Sequence, residues 1–183
     1  VYVTGSKTWK NGHVLYGHEG GSGNSIFVSE GDIYVAGKQG HDAVVWKNGV
    51  AQELPGRDGG GDTSANSVYV SQGDVYVAGW NGFFSDRGTE FLIAVLWKNG
   101  VEIQLTDMEN EAEANSVFVS DADVYVAGRV DNYAVVWKNG VIQKLTAGNY
   151  QAIAKSVYVS GGDVYVAGFE NGVAKLWKNG ILQ

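Results

Sequence analysis

The sequence predicts an all-β fold, a β-propeller of five four-stranded antiparallel blades, with the first blade lacking its inner strand. Three observations carry this expectation. Trp-Lys-Asn-Gly occurs five times, beginning at Trp9, Trp46, Trp97, Trp137 and Trp177, at spacings of 37, 51, 40 and 40 residues. (Val/Ile)-Tyr-Val-(Ala/Thr)-Gly also occurs five times, ending at Gly5, Gly37, Gly79, Gly128 and Gly168. Ser-(Val/Ile)-(Tyr/Phe)-Val-Ser occurs four times, starting at Ser25, Ser67, Ser116 and Ser156. Self-similarity at a fixed period of this size marks a repeat architecture. Segments rich in β-branched and aromatic residues, bounded by glycine, aspartate or asparagine, read as strands.

Each unit holds four strands. In the best-formed copy, strand A runs from Ser67 to Ser71, B from Val75 to Gly79, C from Ala94 to Trp97 and D from Val101 to Thr106. Strands A and B are joined by Glu30-Gly31, Gln72-Gly73, Asp121-Ala122 or Gly161-Gly162, each followed by aspartate, which leaves room only for a tight hairpin. Ala122 breaks the glycine pattern and predicts mild strain in its turn. Strands C and D are joined by Asn-Gly, the preferred two-residue turn, because both central residues take positive φ and the twist matches the flanking strands. From D to the next A the chain has a crossing such as Asp107 to Asn115, long enough to pass from the outside of one sheet to the inside of the next. Val75, Tyr76 and Val77 are apolar without interruption, as expected when both faces of a sheet press on neighbours. The chain therefore reads as one propeller domain over 1–183, with blades near 1–20, 21–62, 63–111, 112–151 and 152–183. The first unit begins in strand B, so the expectation is a three-stranded first blade with an uncovered edge, a processed or excerpted chain, and a longer parent.

Composition narrows the function classes. Thirteen basic and twenty acidic side chains give a net charge of −7, which argues against a nucleic-acid partner that needs a basic stripe. Cysteine is absent, so thiolate metal sites, disulfides and cysteine nucleophiles are excluded. No apolar run reaches the 18 or so residues of a membrane helix, and membrane insertion is not expected. Glycine at 27 residues with a single proline, Pro55, fits many tight turns and no collagen-like segment. No strand-to-helix elbow, phosphate loop or dinucleotide fingerprint is present, because no helix is predicted. Catalysis is therefore not expected, and neither is a cofactor or a metal.

Candidate binding residues fall on the loops that vary between copies. Alternate turns of a blade lie at opposite ends, so the A–B and C–D turns share one rim, and the B–C and D–A loops share the other. Variable loops on a rigid scaffold favour binding. The B–C loop of the third unit is the longest, and it carries Trp80, Asn81, Phe83, Phe84, Asp86 and Arg87. Rings flanked by amide, carboxylate and guanidinium groups suit sugar recognition. Asn66 and Asn115, with Asn24 and the exception Lys155, precede strand A and are expected to present amides near the channel mouth. The five repeated tryptophans are expected between blades, and Asp32, Asp74, Asp123 and Asp163 are expected to bond backbone N–H groups at their turns. The acidic run Asp107, Glu109, Glu111 and Glu113 lacks the spacing of a calcium loop and reads as a solvated crossing. His13, His18 and His41 fall in loops or at strand ends, with no helix to impose ligand spacing.

The units Ser67-Val68-Tyr69-Val70-Ser71, Asp74-Val75-Tyr76-Val77-Ala78-Gly79 and Leu96-Trp97-Lys98-Asn99-Gly100 resemble a β-propeller repeat of secreted or surface bacterial proteins, and the resemblance covers the whole chain. It implies export to an extracellular or cell-surface location more than any chemistry. In architecture the chain is similar to five-bladed tachylectin-type lectins, which bind sugars between blades, although their repeat motif is absent. The resulting expectation is a non-enzymatic, lectin-like module for extracellular glycan. The alternative is a protein-interaction or surface-structural scaffold whose partner is a surface protein or, through the uncovered strand edge, a second copy.

Overall fold

The computed structural model describes residues 1–56, 61–84 and 90–183, and among them every regular element is a strand. The first sheet has three strands, β1 (Tyr2–Thr4), β2 (Lys7–Lys10) and β3 (His13–Gly17). The second contains β4 (Gly21–Ser29), β5 (Asp32–Gln39), β6 (Asp42–Lys47) and β7 (Val50–Glu53). The third contains β8 (Thr63–Ser71), β9 (Asp74–Phe84), β10 (Glu90–Lys98) and β11 (Val101–Gln104). The fourth contains β12 (Ala112–Ser120), β13 (Asp123–Val130), β14 (Tyr133–Lys138) and β15 (Val141–Lys144). The fifth contains β16 (Ala152–Ser160), β17 (Asp163–Glu170), β18 (Val173–Lys178) and β19 (Ile181–Leu182). All pairings are antiparallel and follow chain order, and within each sheet two-residue turns join neighbouring strands everywhere except between β9 and β10.

The turns explain the hairpins. Asn99 and Gly100 have φ of 52° and 79°, and Gln72 and Gly73 have φ of 52° and 82°, both central residues being left-handed. At Asp121-Ala122 only Asp121 is left-handed, with φ 56°. Ala122 keeps a negative φ, so the strain expected of that turn is avoided by changing its geometry.

Each middle pair of strands carries two apolar faces. In the third sheet Tyr76, Ala78, Ala94 and Leu96 pack toward the fourth, while Val77, Ile93, Val95 and Trp97 pack toward the second. The period of two is preserved, but both phases are apolar, which is why the sequence shows no alternation. The same front and back sets recur at successive joints, so the core is a series of clusters between sheets. Trp46, Trp97, Trp137 and Trp177 are buried on the back faces, whereas Trp9 is only half-buried.

The first strands of sheets two to five lie against one another in turn, β4 on β8, β8 on β12 and β12 on β16. They form the inner edge of the arrangement, and a ladder of rings, Phe27, Tyr69, Phe118 and Tyr158, runs along it at centroid separations of 4.6, 4.9 and 4.9 Å. The outer strands β7 and β15 are exposed throughout. Sheets radiating from a shared inner edge are the blades of a β-propeller.

Two strand assignments differ from the sequence reading. Strand A begins four residues earlier, at Thr63, because a β-bulge at Asn66 separates two ladder segments. The segment Trp80–Phe84, read as loop, extends β9 and pairs with β10 as far as Phe84 opposite Glu90. Its Asn81-Gly82 pair lies mid-strand rather than in a turn, held by pairing to Ile93 and Leu92 and by stacking of Phe83 on Phe91 at 5.6 Å.

Candidate functional site

The repeat motifs converge on the rim formed by the short turns. Asp at the start of the second strand meets Lys-Asn at the end of the third. In four blades the carboxylate of Asp32, Asp74, Asp123 or Asp163 accepts from the ammonium of Lys47, Lys98, Lys138 or Lys178 at 2.7 Å. It also accepts from the amide nitrogen of the following asparagine at 2.7 to 2.8 Å. The asparagine Oδ1 takes the backbone N–H after the aspartate, as from Val75 to Asn99 at 2.9 Å. This corrects the expected carboxylate-to-backbone bond: the asparagine caps the backbone, and the aspartate holds lysine and asparagine. The hydrogen bonds from lysine and then asparagine keep each carboxyl below its usual range. Each ammonium also lies over the tyrosine of its own second strand, Lys47 at 5.3 Å from the Tyr34 ring and Lys98 at 5.2 Å from that of Tyr76.

Between these clasps, at the joint of one blade with the next, lie three equivalent pockets. The one between blades two and three is a cavity of about 240 Å³, with Val45, Leu54, Val75 and Val77 as floor and Tyr34, Lys47 and Gln52 on its rim. Its counterpart between blades three and four, about 280 Å³, replaces the glutamine by Ile103. The third, between blades four and five, is about 260 Å³ and restores the amide as Gln143. The opposite rim of each is the Asn-Gly turn of the next blade, Asn99-Gly100, Asn139-Gly140 or Asn179-Gly180. The amide nitrogen of Gln52 lies so close to Gly100 that a Cβ there would meet it at 2.9 Å. At the joint of blades one and two, Tyr16 pairs opposite Thr8, and its ring occupies the space over Gly49. That tyrosine fills the place where Gln143 stands over Gly180.

The pocket chemistry follows from these groups. The lysine charge is balanced by its aspartate, so the rim offers donors without net charge. The side-chain amides of Gln52 and Gln143 make no hydrogen bond to another described residue. An apolar floor with a few convergent polar groups is the composition of a small-ligand site, and these volumes lie below the roughly 300–1,000 Å³ of drug-sized pockets.

The opposite rim is where the sequence placed the site. Trp80 is half-buried, with the Lys38 ammonium 6.0 Å from its ring centroid, and Lys38 and His41 both bond Asp62. Asn81 is buried and donates to Glu102 at 2.8 Å, so its amide faces the interior rather than a ligand. Phe83 packs against the core between blades two and three, while Phe84 is exposed. Asp86 and Arg87 lie outside the described residues. Asn66 and Asn115 are the bulge residues of their strands, and they donate across the joint to the carbonyls of Ala114 and Ala154 at 2.9 and 3.1 Å. Their donors join blades instead of standing at the channel mouth.

The remaining ionisable groups are paired or scattered. Arg129 holds Glu111 and Glu113 at 2.7 and 2.8 Å, and the Asp107 carboxylate accepts from the Glu109 N–H and the Asn110 amide. Among the described residues no three His, Asp or Glu side chains converge as metal ligands. Sequence reasoning missed Gln52 and Gln143 because strand D was treated as the outermost element. The signal was present in the register, which sets glutamine at the third residue after the Asn-Gly turn, at Val50-Ala51-Gln52 and Val141-Ile142-Gln143. No family model matches the chain, and no curated protein matches it in sequence.

Proposed function

We propose that the chain is a non-enzymatic, multivalent binding module for neutral glycan, acting at an extracellular or cell-surface location, with one sugar residue seated in each interblade pocket. The observation supporting this reading is the recurrence of one pocket design at three successive joints. A sugar ring has a C–H face and a hydroxyl edge. The valine and leucine floor suits the first. The lysine ammonium, the glutamine amide and the tyrosine suit the second. Individually weak sites on one rigid rim gain strength when a polymeric glycan engages more than one of them.

Blade one supplies the design of the test. Gln52→Tyr and Gln143→Tyr place in two pockets the ring that Tyr16 already places over Gly49. A glycan array identifies a bound sugar, and calorimetry with its monosaccharide counts sites. The wild type should bind three equivalents and the double variant one, with unchanged thermal stability. Absence of any binding on the array, or an unaltered count in the double variant, removes the proposal.

A further inference from the structure

The three interblade pockets share a floor and a clasp, and they differ at two positions of the rim. Gln52 and Gln143 stand opposite Val45 and Val136 in their hairpins, and Ile103 stands opposite Leu96 in the same register. The A–B turn beside each pocket contributes Gly73 to the first and Gly162 to the third, but Ala122 to the middle one. The middle pocket is also open above its Asn-Gly turn. A Cβ on Gly100 or Gly180 would meet the side-chain amide of Gln52 or Gln143, whereas one on Gly140 would meet no described atom within 4 Å. The volumes run the same way, about 280 Å³ in the middle against about 240 and 260 Å³ where an amide reaches over the turn. Ile103 is 42% exposed and Ala122 is exposed, so both side chains are within reach of a ligand entering from solvent.

We propose that Ile103 and Ala122 make the middle pocket selective for a sugar residue that carries a methyl group, as a 6-deoxy carbon or in an N-acetyl group, while the two glutamine pockets take the hydroxyl-bearing residue. This selectivity rests on the glycan reading above and names the substituent that reading leaves open. A hydroxyl set against Ile103 and Ala122 gives up water and gains no partner, whereas a methyl there gains apolar contact. The glutamine pockets invert the preference, because a methyl in place of a hydroxyl leaves their amide unpaired. The Lys98 ammonium on the middle rim is the donor available to an acetyl carbonyl. Around the rim the order is amide, methyl, amide, so the glycan class that engages all three pockets is a heteropolymer in which methyl-bearing residues alternate with plain ones.

By NMR, the Ile103 methyl and the Gln52 and Gln143 side-chain amides of the wild type report the three pockets separately. The probes are two matched pairs, L-fucose with L-galactose and N-acetylglucosamine with N-formylglucosamine, each pair differing only where the methyl stands. In at least one pair the methyl-bearing sugar should half-saturate the Ile103 shift at about one tenth of the concentration its partner needs, the discrimination one methyl gives in an apolar pocket. The glutamine amides should not share that preference. The pair that discriminates identifies the methyl as deoxy or acetyl. Ile103→Gln gives the middle pocket the residue of its neighbours, and it should abolish the ratio, read at the Ala122 methyl, with thermal stability unchanged. Binding at both glutamines with no preference at Ile103 in either pair overturns this selectivity and leaves the glycan reading standing. So does a preference shared equally by all three pockets, or one that survives Ile103→Gln. Absence of a shift at every pocket removes both.

Discussion

The side-chain amide of Asn66 donates to the carbonyl oxygen of Ala114 at 2.9 Å, tying the inner strand of blade three to that of blade four. One residue further along blade three, Ser67 Oγ accepts from the Val117 N–H at 3.2 Å. Asn24 and Ser25, and Asn115 and Ser116, make the same pair of bonds. Asn66→Ala removes the donor and leaves a partly buried carbonyl without its partner, a loss of about 1–3 kcal/mol. The urea midpoint should fall with the slope unchanged. Lys155→Ala, at the equivalent but uncovered position, should stay within about 0.5 kcal/mol of wild type. Equal effects of the two would show that the asparagine bond does not hold the joint.

The tryptophans should separate by burial. Trp137 is fully buried between blades three and four, and Trp137→Ala should cost about 3–5 kcal/mol in denaturant unfolding. Trp9 is half-buried on the uncovered back of blade one, and Trp9→Ala should cost less than half as much. Equal losses would contradict the assignment of Trp9 to an open face.

At the C–D turn, Asn99 holds φ 52° while its side chain bonds the Val75 N–H and Asp74. Asn99→Ala should destabilise by about 1–3 kcal/mol, combining the left-handed penalty with the lost cap. Asn99→Gly removes only the second part, so its thermal midpoint should lie between those of wild type and alanine variant.

The pH dependence should centre on His18. Its ring is buried against Trp46 at 4.4 Å, Nε2 bonds Thr8 Oγ1 at 2.9 Å, and Nδ1 has no partner. Burial lowers its pKa below the ordinary 6.5, so the unfolded chain takes up the proton first as pH falls. Its contribution to stability is whole above pH 6.5 and declines below it toward the folded pKa. His18→Gln should flatten that limb of a stability profile measured by urea unfolding. The aspartate clasps act in a lower window, since their depressed carboxyl pKa values give stability that is present above 3.8 and lost as pH falls through the folded value.

The hairpins were legible because Asn-Gly and its neighbours state their own geometry locally. The five-fold tryptophan spacing revealed the blades for the same reason: each unit repeats one local pattern. What stayed hidden depends on contacts between units. Asn66 reads as an amide at the channel mouth until the bulge turns it toward the next blade. Asn81-Gly82 has turn chemistry, yet pairing to β10 and the Phe83–Phe91 stack draw it into a strand. Asp74 carries the common signal for a turn aspartate, but its partner Lys98 is a tertiary neighbour. The pockets were missed for a related reason. Gln52 gains meaning only when Gly100 of the next blade lies beneath it.

The most direct test of the account is an NMR titration of isotope-labelled protein with a panel of neutral monosaccharides, following side-chain amides and tryptophan indoles together. The account predicts shifts of the Gln52 and Gln143 amides and of the Gly100 and Gly180 backbone, with the Trp80 indole stationary. Shifts confined to Trp80 and Phe84, with both glutamines still, would place the ligand on the opposite rim and contradict it.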